Sequence, residues 1–210
     1  MMYSLTTAVV LALASGALAS PIAARAGDLA SSTQNDLQGN NCAQNIVIFA
    51  RGTTEPGNVG LLAGPPFFQA LAQQVGANNV AVQGVDYAAD IPGFLAGGDA
   101  DGSKTMAQLT QQAIEQCPQS KVIMSGYSQG SQLAHNAAEM LPADVISKVA
   151  GAVLFGDPDN GQAVQGVDAA KTKVICHDGD AICAGQALVL PPHLTYGDDA
   201  DAAAQFAASL

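Results

Sequence analysis

The sequence predicts an α/β fold: a central, mostly parallel five-stranded sheet with helices on both faces. Three observations predict it. Short apolar runs recur along the chain without the polar alternation of a half-exposed strand. Segments with apolar residues at helical spacing fall between them. Each run also stops at a turn of small or turn-forming residues, so that Gly52, Ser128, Asp157 and Cys176 all fall beyond the carboxyl ends of strands, where such sheets hold their ligands.

Residues 45–50, Asn-Ile-Val-Ile-Phe-Ala, form the first strand, and the loop after it, residues 51–58, is rich in turn residues. Residues 65–75 follow as a helix, with Phe67, Phe68, Leu71 and Val75 near one face. The second strand spans residues 79–87. Residues 88–102 read as an irregular, glycine-rich loop, and residues 103–116 as a helix with Met106, Leu109, Ala113 and Cys117 at helical spacing. Residues 121–124 make the third strand and residues 131–140 the helix behind it, ended at Pro142 ahead of a short segment, 143–150. Residues 153–155 and 172–175 are the fourth and fifth strands, and residues 198–210 a terminal helix.

Length and composition bound the rest. A chain of 210 residues, 49% apolar and 12% charged, suits one domain with a sizeable core, here residues 42–210. The formal charge of −11, with only 7 lysines and arginines, argues against nucleic acid or an anionic membrane surface as partner. Residues 1–19 read as a signal peptide: the apolar stretch 8–14 is too short to span a bilayer, and Ala17-Leu18-Ala19 supplies small residues for cleavage. Residues 20–41, polar and rich in Ser, Asn and Gln, are expected to be a propeptide or a loosely ordered segment. The expected product is secreted, extracellular, monomeric and without integral membrane association. Export makes the four cysteines a disulfide question. Spacing favours Cys176 with Cys183 around a short loop, and Cys42 with Cys117; the competing metal reading finds no zinc-type spacing with histidines nearby.

Gly126-Tyr127-Ser128-Gln129-Gly130, between a buried strand and a helix, has the form of a nucleophile elbow. It makes Ser128 the candidate nucleophile; the plainer reading is a glycine-flanked serine in an ordinary turn. A serine hydroxyl needs a base, and the chain has 3 histidines. His135 follows Ser128 on the same helix at about 10 Å, too far for contact, and reads as structural or surface. His177 lies inside the bridged loop. His193, set by Pro191 and Pro192, completes the order nucleophile, acid, base and is the preferred base. Two acids compete. Asp157 ends a strand but sits between glycine and proline as ordinary turn residues do, whereas Asp180 sits in the stiff bridged loop and is weakly favoured. The backbone N–H groups of Gln129 and Thr53 are the candidate oxyanion donors. Leu61, Leu62, Tyr87, Ile91, Phe94, Leu95, Leu188, Val189, Leu190 and Leu194 would form an apolar rim if exposed, and ordinary core if not. Tryptophan is absent, which favours an acyl-reading site over a sugar-reading one.

These blocks together resemble the fungal cutinases and cutinase-like esterases. The resemblance runs from about Cys42 to Tyr196. It rests on residues 49–58, the elbow at 126–130, Cys176-His177-Asp178-Gly179-Asp180-Ala181-Ile182-Cys183, and Pro192-His193-Leu194. It implies a small lidless α/β-hydrolase with the triad Ser128, Asp180 and His193, an oxyanion hole at Thr53 and Gln129, and the disulfides Cys42–Cys117 and Cys176–Cys183. The implied activity is hydrolysis of cutin or similar aliphatic polyesters and of short-to-medium-chain acyl esters, with no metal or cofactor. Familiar members carry serine where Thr53 stands. The Gly156-Asp157-Pro158 turn is similar to that of the related acetylxylan esterases, which makes deacetylation of a polysaccharide the alternative. A non-catalytic secreted binding module and a transacylase are the remaining alternatives.

Overall fold

The computed structural model describes Met1 and residues 28–210. The signal peptide expected at residues 1–19 and its junction lie, but for Met1, outside the described residues. Five strands, β1 (Asn45–Ala50), β2 (Val80–Gly84), β3 (Lys121–Tyr127), β4 (Val149–Phe155) and β5 (Thr172–Ile175), form one sheet in the order β2-β1-β3-β4-β5, and every neighbouring pair is parallel. The sequences of β1 to β4 run largely apolar without alternation because both faces are covered, whereas the edge strand β5 is half-buried throughout. Ile46, Ile48 and Ala50 of β1 face one core, while Val47 and Phe49 face the other.

The first core packs α3 (Ala100–Gln116), α4 (Gln129–Met140) and α5 (Ala143–Ile146) on the sheet through Met106, Leu133 and Ile146. The second packs α1 (Gly64–Val75) and α6 (Ala200–Ser209) through Phe67, Phe68 and the small residues Ala203, Ala204 and Ala207. Each fully buried Phe side chain contributes about 1.5–3 kcal/mol. The Phe49 and Phe68 rings meet edge to face at 5.1 Å. The strand order reverses direction between β1 and β3, so the crevice beyond their carboxyl ends is the natural place for a site. Disulfides join Cys42 to Cys117 and Cys176 to Cys183.

The structure departs from the sequence reading in three places. Residues 28–41, expected to be loosely ordered, are docked on the domain. Leu37 is buried, and the exposed edge of β2 explains why: Val82 N–H donates to Asp36 Oδ2 and Gly84 N–H to the Gln34 carbonyl, so this segment covers backbone groups that an edge strand leaves open. The loop at 88–102 contains a further helix, α2 (Ile91–Leu95), capped by Asp90 Oδ1 accepting from Gly93 N–H, and α3 begins at Ala100. Finally, β4 starts at Val149, absorbing part of the segment expected to precede it.

Candidate active site

The turn from β3 to α4 is shaped by two glycines. A Cβ on Gly126 would lie 2.2 Å from the Gly130 carbonyl oxygen, and one on Gly130 would lie 2.0 Å from that of Ala50, so only hydrogen fits at either position. Between them Ser128 adopts φ 56°, ψ −122°, a conformation that costs a side-chain-bearing residue about 1–3 kcal/mol. Its N–H donates to the Phe155 carbonyl at 2.9 Å, which ties the strained turn to the end of β4.

Ser128 Oγ lies 2.9 Å from His193 Nε2, and His193 Nδ1 lies 2.7 Å from Asp180 Oδ2. The carboxylate can only accept, so Nδ1 carries the proton and Nε2 is left to accept from the serine hydroxyl. All three residues are buried, at 6%, 2% and 4% exposure respectively. Asp180 is held by more than His193. Its Oδ2 also accepts from the Tyr196 hydroxyl at 2.6 Å, and its Oδ1 from Ile182 N–H at 3.0 Å. Burial alone would raise the Asp180 pKa, but the bonds from Tyr196 and His193 outweigh it and hold the carboxyl below its ordinary value. Burial, together with the same carboxylate, pushes the Tyr196 hydroxyl up, so it stays a donor. The turn Pro191–Leu194 that carries His193 is anchored by the Tyr127 hydroxyl donating to the His193 carbonyl at 2.6 Å.

Gln129 opens α4, so its N–H has no acceptor within the helix. In the loop after β1, Gly52 N–H is taken by Glu55 Oε2 and Thr54 N–H by the Ala89 carbonyl; among the described residues Thr53 N–H has no acceptor. The Gln129 side chain fixes the Thr53 hydroxyl, Nε2 donating to Oγ1 at 2.8 Å and to the Asp90 carbonyl at 2.9 Å. Glu55 organises the same loop further: its Oε1 accepts from the N–H groups of Leu61 and Leu62 at 2.8 and 2.9 Å.

Ser128 opens onto a cleft of about 650 Å³. Leu61 and Leu62 form one wall, Ile91, Phe94 and Leu95 of α2 a second, and Val189 and Leu194 a third. The outermost of these, Ile91, Leu95 and Val189, are 59%, 65% and 57% exposed. Aliphatic surface at this density around a buried polar constellation can take an acyl chain while the ester group meets the serine.

The cutinase family model matches residues 41–210. The chain belongs to the cutinase family. It is a carboxylic ester hydrolase. Cutinases of Botryotinia fuckeliana and Monilinia fructicola are each 56% identical to it, over 79% and 81% of this chain and 82% and 85% of their own lengths. Among solved structures, the Trichoderma reesei cutinase in complex with a C11Y4 phosphonate inhibitor superposes with a TM-score of 0.79 at 47% identity, covering 84% of this chain and 78% of that one.

Within this cutinase scaffold not every residue of the expected rim reaches the cleft. Tyr87 turns into the protein, its hydroxyl donating to the Arg51 carbonyl at 2.6 Å and its ring packing under the Arg51 guanidinium and against the core. Leu188 is exposed outside the cleft, and Leu190 precedes the turn that carries His193. Asp157 is fully buried and pairs with His135 at 2.9 Å, away from His193. Tyr196, Tyr127 and Glu55 were not singled out from the sequence. A polar residue that serves through one hydroxyl or carboxylate carries no periodic signal, and only the place of Tyr127 in the elbow, of Tyr196 near His193 and of Glu55 near Thr53 in the chain marks them.

Proposed function

We propose that the protein is a secreted, monomeric serine esterase that hydrolyses the ester bonds of cutin or similar aliphatic polyesters and short-to-medium-chain acyl esters. The observation that carries this reading is the junction of the Ser128–His193–Asp180 hydrogen-bonded chain with an open aliphatic cleft. Ser128 Oγ attacks the ester carbonyl carbon as its proton passes to His193 Nε2, and the carbonyl π pair moves onto oxygen. Asp180 keeps Nδ1 protonated and stabilises the imidazolium. The N–H groups of Thr53 and Gln129 bind the oxyanion, where a single donor is worth about 10²–10³-fold in rate. The tetrahedral intermediate then expels the alcohol, which takes its proton from His193, and leaves the acyl group on Ser128. Water attacks this ester with His193 again as base, and release of the acid restores the hydroxyl.

Exposed aliphatic rims suit a polymer surface as well as a single chain, since each side chain fully covered by substrate gains about 1.5–3 kcal/mol. Among the described residues no helix is long and apolar enough to cross a membrane. The deciding experiment compares wild type and Ser128→Ala on cutin, acetylated xylan and p-nitrophenyl esters of increasing chain length. Turnover should fall to background in the variant with its unfolding transition unchanged, and wild type should prefer cutin and short-to-medium-chain esters to acetylated xylan. Retained turnover in the variant would remove Ser128 as nucleophile, and preference for acetylated xylan would move the substrate to polysaccharide.

A further inference from the structure

His177 lies next to Cys176 in the disulfide-closed loop and takes no part in the chemistry above. Its surroundings are nonetheless specific. Nδ1 is 2.7 Å from the Pro192 carbonyl oxygen, and Nε2 is 2.5 Å from Asp199 Oδ2. A carbonyl and a carboxylate only accept, so both ring nitrogens must donate, and a neutral imidazole has a single N–H. Its ring also lies flat on that of Tyr196, with centroids 4.2 Å apart and planes 18° from parallel, and its backbone N–H donates to the Tyr196 hydroxyl at 3.1 Å. That hydroxyl is the one bonded to Asp180.

We propose that His177 is a fixed imidazolium that positions the triad, clamping the His193 turn through the Pro192 carbonyl and the Asp180 carboxylate through Tyr196. Pro192 directly precedes His193, so the first contact sets where the imidazole sits over Ser128. A cation stacked on the Tyr196 ring makes its hydroxyl a stronger donor to Asp180, so the second contact sets the carboxylate. The titratable groups that face His177 are Asp199 and Tyr196 from the residues before α6 and Asp180 from its own loop; the His193 turn contributes the Pro192 carbonyl, with the Thr195 hydroxyl beside it at 3.3 Å. Burial opposes the charge, but the Pro192 and Asp199 bonds and the two carboxylates outweigh it and raise the His177 pKa. The sign follows. A raised value means that the clamp is intact below about pH 6.5, where even a free histidine is charged, and is lost as pH rises through the higher folded value.

This inference rests on the proposed roles of Ser128, His193 and Asp180, and its test is separable from theirs. In ¹⁵N-labelled wild type, both His177 ring nitrogens should show imidazolium shifts at neutral pH, with a midpoint above about 6.5. A neutral tautomer at neutral pH overturns the proposal whatever the activity. With a short soluble p-nitrophenyl ester, His177→Phe keeps a ring against Tyr196 but donates nothing; it should lower kcat about tenfold with KM unchanged and abolish the alkaline decline of kcat. A folded His177→Phe with the wild-type kcat profile also overturns it. Asp199→Asn leaves the ring in place, and should lower the His177 midpoint and move the alkaline decline to lower pH by the same interval; a decline that stays put would refute the coupling even if His177→Phe failed to fold.

Discussion

Replacing Tyr196 by Phe removes one oxygen atom and leaves a buried ring that still packs against Phe155 and Tyr127. The lost oxygen donates to Asp180 at 2.6 Å and accepts from His177 N–H at 3.1 Å. Hydrogen bonds to a charged group contribute about 1.5–3 kcal/mol, and no cavity term is added because the ring remains, so a cost of about 2 kcal/mol is expected at neutral pH. For a chain of this size that lowers Tm by about 4–8 °C. The cost depends on pH in a defined sense. Asp180 has a depressed pKa in the folded state, so its contribution is fully present above the unfolded value near 4 and is lost as pH falls through the folded one. The gap between wild type and variant should therefore be constant near neutrality and close in acid. Guanidinium unfolding at about pH 7 and about pH 3, disulfides intact, measures it. In parallel, kcat should fall about tenfold with KM unchanged, because Asp180 keeps only Ile182 N–H and His193 to orient it. A loss below about 0.5 kcal/mol at neutral pH, or one that persists undiminished in acid, would refute the claim that Tyr196 acts by stabilising the Asp180 anion.

Two further perturbations probe the supports of the site. Glu55→Gln turns one of two acceptor oxygens into an amide that faces backbone N–H groups of Gly52 or of Leu61 and Leu62, so the Thr53 loop should loosen and kcat/KM on a soluble ester should drop about tenfold; an unchanged value would show that the loop holds its shape without the carboxylate. His135→Ala leaves the fully buried Asp157 without its ion-pair partner and should cost about 3–5 kcal/mol in unfolding experiments while sparing kcat at low temperature. Burial opposes charge on His135, but the Asp157 bond and nearby carboxylates raise its pKa, so the His135 contribution is complete below about pH 6.5 and declines as pH rises through the folded value.

The parts of the molecule legible in the sequence are those whose cause is local. Phe49 and its neighbours in β1 read as a buried strand because residues 46–50 are all apolar, and the elbow reads from Gly126 and Gly130 because backbone atoms occupy the space of their missing Cβ. Helix α2 is too short to show a period, although the Asp90 cap and Pro92 were its signals. The docking of residues 28–41 runs through backbone groups of β2 and through Asn58 and Val59 of the loop after β1, which composition cannot display. The histidines show the same division most sharply. The chain has three, and the fold pairs each with an aspartate: His135 with Asp157, His177 with Asp199, His193 with Asp180. A carboxylate partner therefore does not distinguish a base from a structural residue. The group on the other ring nitrogen does. The second nitrogen of the His177 ring meets the Pro192 carbonyl at 2.7 Å, with the Thr195 hydroxyl farther off at 3.3 Å, whereas that of His193 meets the Ser128 hydroxyl at 2.9 Å, which can give its proton up. Which histidine meets a carbonyl and which a hydroxyl depends on three loops converging beyond the sheet. No spacing in the chain encodes that, so the choice between Asp157 and Asp180 stayed open in the sequence until the resemblance was drawn.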